Sequence, residues 1–255
     1  MLKKERLMSI MEMIDRDEII TVSDLVESLG VSDMTVRRDL DELAEAGKLV
    51  RIHGGAQKIA VSGKEELSRN EKCELHGKEK QSVARKAASL IEPGETIYVG
   101  PGTTNELIAE YVENVSSLRV VTNSLPVFER WNGKDGVEVI MIGGTYRAKS
   151  GAFVGGLTNS AIKDLKFARA FVGVNGIHDD RMMTANAEEG MTQLAALNNA
   201  GLKFAVCDYH KLNRDDFYCF YSLYNMDAMI TNGQLGKDSL RHYQEYTKMI
   251  IAEDS

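Results

Sequence analysis

Apolar side chains in the first fifty residues recur at helical steps. Leu7, Ile10, Met11 and Ile14 share one face and predict a helix over residues 3–14. A second apolar face, Val22, Leu25, Val26 and Leu29, follows Thr21 and Ser23, either of which can cap it, and Gly30 stops it. Ser32 caps a third helix with Val36, Leu40 and Leu43 inward and Gly47 at its end. "KLVRIHGGAQ" then reads as a short hairpin with Gly54-Gly55 at its tip or exit. Three helices and a β-wing therefore occupy residues 1–57. The connection between the second and third helices, "GVS", has the length a helix-turn-helix needs.

From residue 58 the pattern changes. Residues 58–80 are charged and carry no sustained apolar period, so they read as a linker running into a helix at "KEKQSVARKAASLI". Beyond it, "ETIYVG", "RVVTNS", "VEVIMIGG", "ARAFVGVNG", "KFAVCD" and "DAMITN" are short, β-branched-rich and nearly continuous in apolar residues, as strands buried on both faces are. Helical stretches such as "TTNELIAEYVE", "AIKDLKF" and "EEGMTQLAALNNAG" separate most of them. The expected fold class is α/β: an N-terminal winged helix-turn-helix, a linker over 58–80, and a mainly parallel α/β domain over 81–255.

Composition narrows the partners only slightly. The 255 residues carry a formal net charge of −7. The first 58 hold 9 Lys/Arg against 12 Asp/Glu, or −3, so any case for nucleic acid rests on where the charges sit. Cys73, Cys207 and Cys219 lack metal-ligand spacing and read as reduced thiols. Neither an 18-residue apolar window nor an apolar run after "MLKKERLMSI" is present, so the expected location is cytoplasmic, with no membrane, metal or cofactor partner.

Local placement revises that picture. The third helix begins "SDMTVRRDL". Its apolar residues face the core, while Ser32, Asp33, Met34, Thr35, Arg37 and Arg38 lie near its N-terminal end, where a recognition helix reads base edges. Arg51, His53, Gly54 and Gly55 belong to the wing, where phosphate contact is expected. The competing reading pairs Arg37 with Asp33 or Asp41 as solvated charges. Asp39 does not suit a DNA-facing role and is expected to orient an arginine or cap a neighbour.

Open α/β sheets bind ligands outside the carboxyl ends of their strands. Those ends here supply Gly102, Thr103 and Thr104; Thr122, Asn123 and Ser124; Gly143, Gly144, Arg147 and Lys149; Gly173, Asn175 and Gly176; and Asp208, His210 and Lys211. "GTT" opening a helix offers N–H groups, hydroxyls and the positive end of a helix dipole to an anion. Asn123, Asn175 and Asp208 can read hydroxyls, and Lys211 or Arg147 can balance phosphate charge. The set points to a phosphorylated sugar or similar ligand. Glu188 and Glu189 open another helix, either as dipole-stabilised acids or as bases.

These motifs carry a resemblance to the DeoR family of bacterial transcriptional regulators. "RLMSI" through "SDMTVRRDL", the wing end "LVRIHGGA", and "GPGTT", "VVTNSLPV", "IGGTYRAKSGAFVG" and "DYHK" match over nearly the whole chain. The resemblance implies a winged helix-turn-helix joined to a sugar-phosphate sensor similar in fold to ribose-5-phosphate isomerase and glucosamine-6-phosphate deaminase. It implies repression of a sugar-catabolic operon, relieved by a phosphorylated sugar. "TNSLPV" and "TQLAALNN" look most like the family's lactose-type members, for which tagatose 6-phosphate is the implied effector, another hexose phosphate being the alternative. Many members carry Asp where this chain has Gly100 and Asn175. The rival class is a sugar-phosphate isomerase or deaminase, but the isomerases' acid position is Asn175 and no lysine follows before Thr184, so no catalytic residue is expected. Specific DNA binding calls for a homodimer or homotetramer on double-stranded operator.

Overall fold

The computed structural model describes every residue except 1, 18, 53, 59–65, 114, 254 and 255. The chain divides into two compact units, residues 1–61 with 235–242 and residues 62–234 with 243–255.

The first unit holds α1 (Lys3–Asp17), β1 (Ile19–Thr21), α2 (Val22–Leu29), α3 (Asp33–Glu45), β2 (Leu49–Ile52) and β3 (Gly55–Lys58). Ile10 and Ile14 of α1, Val22 and Leu25 of α2 and Val36, Leu40 and Leu43 of α3 converge on one core with Ile20, Leu49 and Ala56. Thr21 is the cap of α2: its Oγ1 accepts from Asp24 N at 3.1 Å, and Asp24 Oδ2 accepts from Thr21 N at 3.1 Å. That reciprocal box satisfies two backbone donors of the first turn. Gly30 ends α2 in the left-handed region, and Ser32 caps α3. The hairpin β2–β3 gains a strand that the sequence pattern does not reveal, because β1 is only three residues long; the sheet order is β1-β3-β2, antiparallel throughout. Asp39 lies buried in α3 and accepts two hydrogen bonds from the Arg6 guanidinium of α1, one of them at 3.0 Å. Asp39 therefore orients an arginine, and a buried carboxylate on an apolar helix face has its compensating charge.

The second unit runs α4 (Arg69–Glu74), α5 (Gly77–Ala88), β4 (Thr96–Val99), α6 (Thr103–Tyr111), β5 (Leu118–Thr122), α7 (Leu125–Trp131), β6 (Val137–Met141), β7 (Thr145–Arg147), β8 (Ala152–Val154), α8 (Gly156–Lys163), β9 (Phe167–Val172), β10 (Gly176–His178), β11 (Arg181–Thr184), α9 (Ala187–Asn198), β12 (Ala200–Val206), β13 (Tyr218–Ser222) and β14 (Ala228–Asn232). α10 (Lys237–Gln244) and β15 (Met249–Ala252) complete the chain. All six strands read from sequence join β15 in one parallel sheet ordered β15-β14-β12-β9-β4-β5-β6. Val83, Ala84 and Ala87 of α5, Ile108 of α6 and Trp131 of α7 pack with Ile97, Val120, Phe171, Phe204 and Ile230 of the strands in one core. α9 packs against β9 and β12. A hairpin (β7–β8) and an antiparallel sheet (β10-β11-β13) are additions the pattern does not reveal.

Residues 58–80 are not linker throughout. α4 starts at Arg69 with a box between Ser68 and Glu71, and α5 starts at Gly77. The side chains of α4 engage polar partners, so its turns leave no apolar period to read.

Candidate functional site

In α3, Ser32 Oγ accepts from Thr35 N at 3.3 Å and lies 2.9 Å from Thr35 Oγ1. Ser32, Asp33, Met34, Arg37 and Arg38 are exposed and Thr35 is partly so. Met34 is 61% exposed. Arg37 donates to Asp33 at 2.6 and 3.2 Å, the solvated pair the sequence offered as its alternative. Such an exposed pair exchanges readily for a phosphate or a base edge. In the wing, Arg51 bonds Asp41 at 2.8 Å and the carbonyl of Gly55. Gly54 is exposed, but Gly55 is buried: a Cβ there would sit 2.1 Å from the Ile20 carbonyl oxygen, so β3 needs glycine to lie against β1. Its place in the wing is one of packing. His53 lies outside the described residues.

In the second unit β4, β5 and β6 follow one another towards one edge of the sheet and β9, β12, β14 and β15 towards the other. The chain reverses direction between β4 and β9, and at such a switch point the loops diverge and leave a crevice. A partly open cleft lies there. Pro101 to Glu106 line it after β4, Gly173 to Asn175 after β9, and Val206 at the end of β12 with Cys207 and Lys211 beyond it. Gly102 precedes α6 at φ 136°, outside the range an L side chain adopts readily, and offers no side-chain cap. The first-turn N–H groups of α6 are thus left for an anion. Asn105 Nδ2 donates to the Gly100 carbonyl at 3.0 Å and the Phe171 carbonyl at 3.3 Å, which fixes its amide and ties β4 to β9. Asn105 Oδ1 and Gln193 Oε1, both buried, have no hydrogen-bond partner. Buried acceptors of this kind cost about 1–3 kcal/mol each when unmatched, and a ligand hydroxyl satisfies them.

The cleft is charged on both sides. Arg69 binds Glu106 in a bidentate pair, at 2.8 and 2.6 Å. Arg147 Nη1 donates to Glu189 at 2.9 Å, and Lys72 Nζ to Asn175 Oδ1 at 3.3 Å. Burial pulls the Lys211 ammonium below the usual lysine range, and the Asp208 carboxylate pushes back. An anion beside Lys211 would restore its charge.

Six of the residues read from sequence line this cleft: Gly102, Thr103, Thr104, Gly173, Asn175 and Lys211. Arg147 joins it through Glu189. Others have structural work instead. Asn123 accepts from the Tyr98 hydroxyl and donates to the Phe153 carbonyl, each at 2.7 Å; Thr122 Oγ1 accepts from Ser124 N; and Ser124 caps α7. All three are fully buried. Gly143 accepts from the Thr158 hydroxyl, Gly144 lies against Thr158, and Gly176 is buried beside Arg214. Lys149 offers its carbonyl to Arg69 N at 2.8 Å, and Glu188 is exposed at the start of α9. Asp208 caps the turn Tyr209–Lys211, and His210 stacks on His76 with ring centroids 3.5 Å apart. The sequence reading missed Arg69, Lys72, Asn105, Glu106, Ser150, Thr184 and Gln193, and named Glu189 only as a dipole-stabilised acid or a base. Arg69 and Lys72 fell in a segment taken for linker, and Asn105 and Glu106 one and two residues past the "GTT" signal.

Among the described residues no helix is long and apolar enough to cross a membrane, and no group of three potential ligands could hold a metal. A family model described as the DeoR-like helix-turn-helix domain matches residues 6–60, and one described as the DeoR C terminal sensor domain matches residues 75–233. The lactose phosphotransferase system repressor of Lactococcus lactis subsp. lactis is 41% identical over 98% of this chain and 99% of its own. A repressor of the same name from Streptococcus mutans is 41% identical over 98% of this chain and 100% of its own. Among solved structures, ribose 5-phosphate isomerase A from Neisseria gonorrhoeae superposes on 52% of each chain with a TM-score of 0.38 and 14% identity, a likeness too loose to bear on activity.

Proposed function

The chain belongs to the DeoR family, and from that premise we propose that it is a cytoplasmic DNA-binding repressor of a sugar-catabolic operon, released by a phosphorylated sugar bound in the second unit. The observation that carries the sensor reading is the meeting, in one cleft, of the open N-terminus of α6 and Lys211 with two unmatched acceptors, Asn105 Oδ1 and Gln193 Oε1. The first pair suits a phosphate and the second suits hydroxyl donors.

Binding rather than turnover follows from the carboxylates. Proton transfer between sugar carbons needs a carboxylate free to act as base. In the ligand-free chain the two that line the cleft, Glu106 and Glu189, are engaged by Arg69 and Arg147, and the isomerases' acid position is Asn175, an amide. The lactose-type resemblance implies tagatose 6-phosphate as the effector, with another hexose phosphate as the second reading, and the relatives' name, lactose phosphotransferase system repressor, supports the lactose-type assignment. A single winged helix presents few base contacts, so operator binding is assigned to a homodimer or homotetramer with two α3 helices about one duplex turn apart. Contacts to double-stranded operator are assigned to Ser32, Met34, Thr35, Arg37 and Arg38 of α3 and to Arg51 and Gly54 of the wing.

Operator fragments selected from genomic DNA by the purified protein provide the test. Tagatose 6-phosphate should weaken the retained complex in a gel shift, unphosphorylated tagatose should not, and neither should be consumed. Turnover of a sugar phosphate, or a complex indifferent to every sugar phosphate in a hexose panel, would refute the proposal.

A further inference from the structure

Three cations around the cleft, Arg69, Lys72 and Arg147, already hold carboxylates, and one of these carboxylates differs from the rest. Glu66 places a carboxylate, 9% exposed, between Arg147 and Lys72. Arg147 Nη1 donates to it at 3.3 Å, Arg147 Nη2 more closely, and Lys72 Nζ at 3.2 Å. Burial opposes the charge on Glu66, yet the arginine hydrogen bond and the two cations hold its carboxyl below the usual range. Glu106 and Glu189, the other anions here, sit within the packed helices α6 and α9. Glu66 is on no helix; it lies just ahead of α4 and eight residues beyond Lys58, the last residue of the wing strand.

We infer that Glu66 is an internal competitor for the effector: its carboxylate holds Arg147 and Lys72 in the ligand-free chain, and an incoming phosphate takes these cations and frees the segment that carries Glu66. The inference rests on the effector reading of the cleft. A second observation supports it. Asn105 Oδ1 and Gln193 Oε1 are closed off from solvent, while Arg69 and Lys72 of α4 line the same cleft. The attachments of α4 beside this cleft are ion pairs and hydrogen bonds, which an anion can exchange: Arg69 to Glu106, Lys72 to Asn175, and Lys80 Nζ to the Lys72 carbonyl. The Ser68–Glu71 box keeps α4 intact as it moves.

Two consequences follow. The ligand must bring an anion able to compete with a carboxylate, which selects phosphorylated over neutral sugars. Exchange of one anion for another also releases Glu66, near the start of the second unit, and so gives the effector a differential interaction of the kind that coupling requires. If the closed form dominates, the apparent dissociation constant is raised by the inverse of the open fraction.

Calorimetric titration of the full chain with tagatose 6-phosphate and with inorganic phosphate, in wild type and Glu66→Gln, tests the inference. The Glu66→Gln protein should bind both about tenfold more tightly. Its amide exchange over residues 66–74 without ligand should match that of ligand-saturated wild type. Wild-type binding with no tightening in Glu66→Gln overturns the competitor while leaving the effector site standing. Failure of wild type and variant alike to bind any hexose phosphate overturns both. Should Glu66→Gln fail to fold, as judged by the fluorescence of Trp131, Glu66→Asp decides: its shortened carboxylate should give intermediate tightening, and affinity equal to wild type would sink the idea.

Discussion

Replacing Arg69 by alanine removes the cation from a carboxylate that has almost no other access to water. Glu106 is 2% exposed at its side chain and Arg69 28%. Breaking a buried pair from one side costs about 3–5 kcal/mol, whereas an exposed pair is worth about 0–1 kcal/mol. With one partner sealed and the other reached by solvent, the loss should lie between, at about 2 kcal/mol. Urea unfolding of a unit of this size falls by about 2 kcal/mol per molar, so the midpoint should drop by about 1 M. Trp131 is the sole tryptophan and is fully buried in the core of the second unit, so its fluorescence follows that unit alone. Glu106→Gln added to Arg69→Ala should recover most of the loss, since the uncompensated charge is then gone. A midpoint shift below about 0.3 M in the single variant, or no recovery in the double, would show that Arg69 is not what balances Glu106.

Arg37→Ala and Arg38→Ala should each weaken operator binding roughly ten- to a hundredfold by fluorescence anisotropy and leave sugar-phosphate binding unchanged; a normal operator affinity would confirm the solvated pair as the whole role of Arg37. Effector affinity should fall as pH rises through the depressed range of Lys211, because the bound anion needs the protonated amine and the folded chain gives up that proton below the usual lysine value; calorimetry against pH would show the decline, and Lys211→Arg should flatten it. Gly102→Ala should destabilise the second unit by about 1–2 kcal/mol, because φ 136° strains an L side chain, and should weaken phosphate binding at α6 by the same displacement.

The helical faces of the first unit and the six apolar strands of the second were legible because burial imposes a period, and Val36, Leu40, Ile97 and Phe171 all lie where that period places them. β1 and the strands of the two small sheets escaped notice because they are short and only partly buried, so no continuous apolar run marks them. The site was less legible for two physical reasons. Polar residues at strand ends have the same composition whether they meet a ligand or one another, and Thr122, Asn123 and Ser124 meet one another and the backbone. A charged helix that packs through ion pairs, as α4 does, looks like linker until its partners Glu106, Glu66 and Asn175 are seen beside it. Asp39 shows the reverse case: its misfit on a DNA-facing helix was visible in sequence, and its partner, Arg6, lies 33 positions away.

The central claim is that the cleft at the switch point binds a sugar phosphate. Its most direct test is calorimetric titration of the full chain with tagatose 6-phosphate and the other hexose 6-phosphates beside their unphosphorylated sugars. The account predicts saturable binding of one phosphorylated sugar per chain, absent for the neutral sugar and lost in Lys211→Ala. No binding by any hexose phosphate, or unchanged binding in Lys211→Ala, would contradict it.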